Sequence, residues 1–194
     1  TGGNDNNSWI AQTTNNTATV IQGGASFDTN SSTITQTSDN TATVTQGGAS
    51  NTNTSTITQL LENTATVSQS GGGNINLSTV TQNDSGGSTA SVTQEGTGNS
   101  NASMVLQTGV DGGNLATVLQ KGDGITNTSS ATQNGDINTA SVTQDGSSFT
   151  VNWSNIVQTG TSNAATVGQS GAATNNTSTV TQTGNANTAN VSQN

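Results

Sequence analysis

The chain has 194 residues and a formal net charge of −9, with 26% hydrophobic and 2% aromatic residues. That apolar fraction lies far below the ~45–50% of an ordinary globular domain and excludes a large apolar core. The absence of Cys and His removes disulfides, thiolate zinc sites and the commonest general base, and one Lys against ten acids offers no basic surface for nucleic acid or anionic lipid.

Low hydrophobicity commonly means disorder, yet only 6% of the residues are charged and there is no Pro, so little opposes backbone pairing. No apolar run is long enough to cross a membrane. No signal peptide is recognisable, so an exported chain is expected to be the processed form.

Residues 1–5 read as a short leader. The first motif is Asn6-x-Ser8-x-Ile10-x-Gln12 and the second is Asn16-x-Ala18-x-Val20-x-Gln22. The pair then repeats. The A motif, Asn-x-Ser-x-(Ile/Val)-x-Gln, ends at Gln12, Gln36, Gln59, Gln82, Gln107, Gln133, Gln158 and Gln182. It opens at Asn6, Asn30, Asn53, Asn76, Asn101, Asn127, Asn152 and Asn176, with Ser8 and its copies two residues later. The B motif, Asn-x-Ala-x-Val-x-Gln, ends at Gln22, Gln46, Gln69, Gln94, Gln120, Gln144, Gln169 and Gln193, and opens at Asn16, Asn40 and their copies through Asn187. Only Ser88 departs from Asn at that position, and Ala131 departs from Ile or Val in the A motif. The resulting units are 6–29, 30–52, 53–75, 76–100, 101–126, 127–151, 152–175 and 176–194, one domain of eight repeats.

A fixed step of two is the strand period, in which alternate side chains share a face. The intervening positions are rich in Thr, which suits an extended backbone, and the connecting segments carry the Gly and Asn that positive-φ turns require. Two strands and two short turns per unit predict an all-β solenoid of eight rungs. Its two facing parallel sheets are in register, in a cross-β arrangement about 40 Å long. A meander is the competing topology, but it would set A beside B and give the Ser and Ala columns no reason to stay separate.

If the invariant phase points inward, the core consists of stacked columns of Asn, Ser or Ala, Ile or Val, and Gln. A buried unpaired amide costs about 1–3 kcal/mol, so the amides are expected to form ladders, each donating to its copy one rung up. Ser88 should interrupt the B ladder. All ten acids and Lys121 fall outside the sixteen motifs, which places them on the rims, where they favour solubility. The motifs begin at Asn6 and end at Gln193 with no atypical capping repeat, so the expectation is head-to-tail polymerisation through open terminal rungs.

The B run Gln158-Thr-Gly160-Thr-Ser-Asn163-Ala-Ala165-Thr-Val167-Gly-Gln169 resembles the curlin repeat. The resemblance implies a structural subunit of curli, the extracellular amyloid of bacterial biofilm matrix, with roles in adhesion. It also implies a homopolymer that depends on a nucleator subunit and a secretion machinery. The chain departs from familiar members in having eight units and almost no Gly-rich leader, and in the Asn and Ser of its A motif.

Thr-x-Thr pairs such as Thr33/Thr35 and Thr56/Thr58 raise an alternative, a Thr-rich ice-binding solenoid; thermal hysteresis in a non-fibrous preparation would favour it. The Asn-x-Ser sequons coincide with inward columns, and the acids do not form a calcium repeat. With no His or Cys to activate a nucleophile, no enzyme activity, cofactor or metal is expected.

Overall fold

The computed structural model describes residues 3–147, 150–172 and 175–194. It contains β1 (Asp5–Thr14), β2 (Thr17–Gln22), β3 (Thr29–Ser38), β4 (Thr41–Gln46), β5 (Thr52–Leu61), β6 (Thr64–Gln69), β7 (Ile75–Gln82) and β8 (Thr89–Gln94). These are followed by β9 (Ser100–Thr108), β10 (Leu115–Asp123), β11 (Thr126–Asn134), β12 (Thr139–Ser147), β13 (Val151–Thr159), β14 (Ala164–Gln169), β15 (Asn175–Thr183) and β16 (Thr188–Gln193). Odd-numbered strands form one eight-stranded sheet and even-numbered strands the other, each in chain order. We call these the A sheet and the B sheet.

Every pairing is parallel and keeps each motif position over its copy. Asn53, Ser55, Ile57 and Gln59 of β5, for example, meet Asn76, Ser78, Val80 and Gln82 of β7. The β-solenoid of eight turns is therefore the observed fold. Alternation decides which groups are buried. Ile34, Ile57, Val80, Val105, Ala131, Ile156 and Val180 line the A side of the core, and the Ala and Val columns of the B sheet face them. Ala131 is 1% exposed and lies in register between Val105 and Ile156.

The corners obey one backbone rule. The residue entering each strand is preceded by a corner residue, and the residue before that corner adopts the left-handed conformation in turn after turn, as at Asn15, Asp39, Glu62, Gly73, Gly98 and Gly113. Ile137 also does so, with φ 58°, a strained choice for a β-branched residue. A second requirement acts two residues after the B-strand Gln at Gly48, Gly71, Gly96 and Gly122. Gly71 has φ +127°, and a Cβ there would lie 1.9 Å from the carbonyl oxygen of Gly96 one rung away. Only Gly lets the turns stack at the strand repeat.

Candidate assembly site

The Gln columns form two continuous ladders. In the A sheet each side-chain amide Nε2 donates to the Oε1 of its copy in the next rung, from Gln12 through Gln36, Gln59, Gln82, Gln107, Gln133 and Gln158 to Gln182, at 2.8–3.0 Å. In the B sheet the series runs from Gln22 through Gln46, Gln69, Gln94, Gln120, Gln144 and Gln169 to Gln193, at 2.8–2.9 Å. An amide carries its donor and acceptor on opposite corners of one group. Its width plus one hydrogen bond therefore spans the ~4.8 Å strand spacing.

The second Nε2 hydrogen links the two sheets. Gln22, Gln46, Gln69, Gln94, Gln120, Gln144, Gln169 and Gln193 donate to main-chain carbonyls of the A strand in their own rung, for instance Gln46 to Ser31 and Gln69 to Thr54. From Gln36 to Gln182 the A-sheet glutamines reach the first carbonyl of the B strand one rung below, as Gln59 does to Thr41. Sequence reasoning did not reveal these braces. Strand periodicity reports which face a side chain occupies, and it is silent on what lies across the core.

The Asn columns differ from the expectation in two respects. In the A strands the ladder exists, but it points the other way: Asn30 Nδ2 donates to Asn6 Oδ1, and the series continues through Asn53, Asn76, Asn101, Asn127 and Asn152 to Asn176, at 2.8–3.0 Å. The B-motif Asn residues instead stand at the corners just before their strands. Each Oδ1 accepts the main-chain N–H of the next corner residue, as Asn16 does from Asn40, Asn40 from Asn63 and Asn163 from Asn187. The corresponding Nδ2 reaches a carbonyl just past the A-strand Gln of the next rung, that of Thr37 for Asn16 and Leu60 for Asn40. Amide-to-amide bonds are secondary there.

The A strands have the same corner device, which the motif comparison missed. Asn4, Asp28, Asn51, Asn74 and Asn99 stand eight residues before the A-motif Gln, and each of the main-chain N–H groups of Asp28, Asn51, Asn74 and Asn99 donates to the carboxamide or carboxylate below. Counting back eight from each A Gln would have found it. The column lapses at Ile125 and Thr150, and aligning both motifs on the Asn six before Gln equated an in-strand Asn with a corner Asn.

Three expectations need correction. The Ser column does not form a ladder: the Oγ atoms of Ser32, Ser55, Ser78, Ser103, Ser154 and Ser178 have no partner, and Ser129 Oγ accepts from Gln120 Nε2 across the core at 3.4 Å and not from another Ser. A hydroxyl has one heavy atom, and it cannot bridge the rung spacing as an amide does. Ser8 of the first rung is exposed. Next, Asp28 and Asp84 are not rim residues, since they are 1% and 3% exposed. Asp28 replaces Asn in the A corner column, with its Oδ1 accepting from Asn51 and its Oδ2 unpartnered.

Finally, Ser88 does not break the B corner column. Its N–H donates to Asn63 Oδ1, its Oγ accepts the N–H of Asn114 at 3.1 Å, and the same Oγ donates to the buried Asp84 carboxylate. Asp84 thus occupies the space of the missing amide. Burial pushes its carboxyl above the usual carboxylate value, against the hydrogen bond from Ser88 that lowers it. Among the described residues, no group of three or more acids gathers as a metal site.

The two outer edges are less covered than the interior. Ile10 is 42% exposed, whereas its copy Ile57 is fully buried, and Ala18, Val20, Ala189 and Val191 are half-buried. The curlin associated repeat, as a family model, matches residues 155–184, which run from within β13 through β14 and β15. No curated protein matches the chain. Residues 155–184 contain the Gln, Asn, Ala and Val columns in the register that holds from rung to rung throughout, and this stretch of the chain carries a curlin associated repeat.

Proposed function

We propose that the protein is a structural, non-enzymatic subunit of a secreted, curli-like amyloid fibre. In this reading it polymerises head-to-tail into biofilm matrix and supports adhesion, without insertion into a membrane or binding of nucleic acid. A nucleator subunit and a secretion machinery are the heterologous partners this reading calls for.

The complementarity of the two edges carries the proposal. At the β15–β16 edge, Gln182 and Gln193 keep an Nε2 hydrogen directed along the axis, and Asn176 presents its Oδ1. At the β1–β2 edge, Gln12 and Gln22 present Oε1 acceptors and Asn6 its Nδ2. The opposed directions of the Gln and Asn ladders make each open donor meet an open acceptor when one copy stacks on another. Such stacking also gives Gln12 the cross-sheet carbonyl it lacks, that of Thr188 in the copy below, by the rule that pairs Gln36 with Thr17. The contact is heterologous and open, the geometry that generates filaments.

Electron microscopy and fibre diffraction of the purified chain test this. Unbranched fibres with a meridional reflection at ~4.8 Å are expected. A chain that stays soluble and monomeric at high concentration would overturn it.

A further inference from the structure

The outer surface of the A sheet is nearly free of charge. Among its described residues only Asp5 is ionisable, while the B sheet carries Lys121, Asp123 and Asp145 at its strand ends. Outward Thr and Ser cover most of β3, β5, β11 and β15, and outside the patch Trp9 of β1 and Leu60 of β5 are exposed singly, but β7, β9 and β13, with β11 between the last two, are different. β7 exposes Ile75 and Leu77, β9 Met104 and β13 Val151 and Trp153, which are 39–59% accessible. In register, Leu77, Ala102, Thr128 and Trp153 form one outward column, and Thr79, Met104, Ser130 and Asn155 the next. Small residues therefore lie between large ones, leaving a depression of ≈ 270 Å³ lined by Leu77, Thr79, Ala102, Met104, Thr128 and Ser130.

We propose that this face pairs with the same face of a second copy and joins filaments side by side, an inference that rests on the head-to-tail reading above. Charge selects the face. Both rims carry acids, so approach through the turns brings like charges together, whereas two A sheets meet with almost none. Shape supplies the contact, with Leu77 or Met104 of one copy entering the depression of the other. Area explains why the contact needs filaments. Four strands at ~4.8 Å spacing and ~3.3 Å rise present about 440 Å² per copy, against about 800 Å² per partner in a stable interface. Two free chains are thus expected to associate weakly, while a filament repeats the patch every eight rungs and the contacts act together.

The test is the triple variant Leu77→Thr/Met104→Thr/Trp153→Thr, in which Thr keeps the outward positions strand-compatible. Wild-type filaments are expected to pair, with a mass per length at least twice that of the variant, and elongation rate and the ~4.8 Å reflection are expected to be unchanged. Single wild-type filaments, or a variant that still pairs, overturn the proposal while leaving head-to-tail growth intact. If no filaments form, head-to-tail growth fails and a second arm decides the lateral face. In this arm Thr79→Cys and Thr66→Cys are compared at high concentration with a short bis-maleimide, since the chain has no other Cys. Selective dimers from Thr79→Cys support the face, and equal or absent cross-linking overturns it.

Discussion

Asp84 completes a column that Ser88 leaves one amide short. Its Oδ2 accepts from Ser88, but its Oδ1 is buried with no partner, and burial is the main reason its carboxyl is raised above the ordinary value. The folded state therefore favours the neutral acid. The sign follows from linkage: this site contributes most below the ordinary Asp value of ~3.9 and loses that contribution as pH rises through the higher folded value. Asp84→Asn is expected to raise stability near neutral pH and to flatten the part of the pH profile that lies above about pH 4. Denaturant melts of both proteins across that range check it; parallel profiles would count against a buried, titrating Asp84. Nothing in the spacing of the motifs signals this residue, because Asp84 lies in a turn where an acid ordinarily means solvent.

At the scale of the strand, the alternation of inward and outward residues was fully legible, and so was the sorting into two sheets. Period two fixes faces, and separate Ser and Ala columns only make sense if like stacks on like. Hydrogen bonding was less legible, because it depends on side-chain reach. Asn76 and Ser78 occupy adjacent inward positions, yet Asn76 bonds both neighbours, to Asn53 and from Asn101, at 2.8 and 2.9 Å, and Ser78 Oγ bonds none. The corner Asn column escaped for a different reason: the A strand holds one more inward residue than the B strand, so equal counting from Gln lands on different structural positions. Turn positions that adopt positive φ with Phe27, Ile137 or Ala186 were equally hidden, since the backbone there is imposed by stacking and not by residue preference. The contrast in reach yields a paired prediction. Asn76→Ala strands two ladder neighbours and is expected to cost about 1–3 kcal/mol for each group left unpaired, whereas Ser78→Ala removes an unpaired buried hydroxyl and is expected to leave stability unchanged or to raise it. Equal losses in denaturant melts would show that the Ser column carries hydrogen bonds after all.

For the whole molecule, identical columns give two different ends, and this polarity can be tested without seeing a fibre. Lys at Gln12 and Gln22 puts charge into the acceptor edge, and Lys at Val191 and Gln193 does the same at the donor edge. Gln12 is exposed and the other three positions are half-buried, so the new ammonium groups reach solvent in the isolated chain and the remaining rungs keep their packing. Stacking a partner there would desolvate them and leave ladder groups unpaired, at about 1–3 kcal/mol per amide, or roughly 10- to 100-fold in association. Each double variant keeps one open edge. Neither is expected to polymerise alone, and each should cap one end of wild-type filaments and shorten them when added in small proportion. Mixed together they should join once, open edge to open edge, and stop at a one-to-one dimer measurable by sedimentation. Larger species in that mixture would show that growth uses another surface, and no dimer at all would mean that the two edges do not recognise each other.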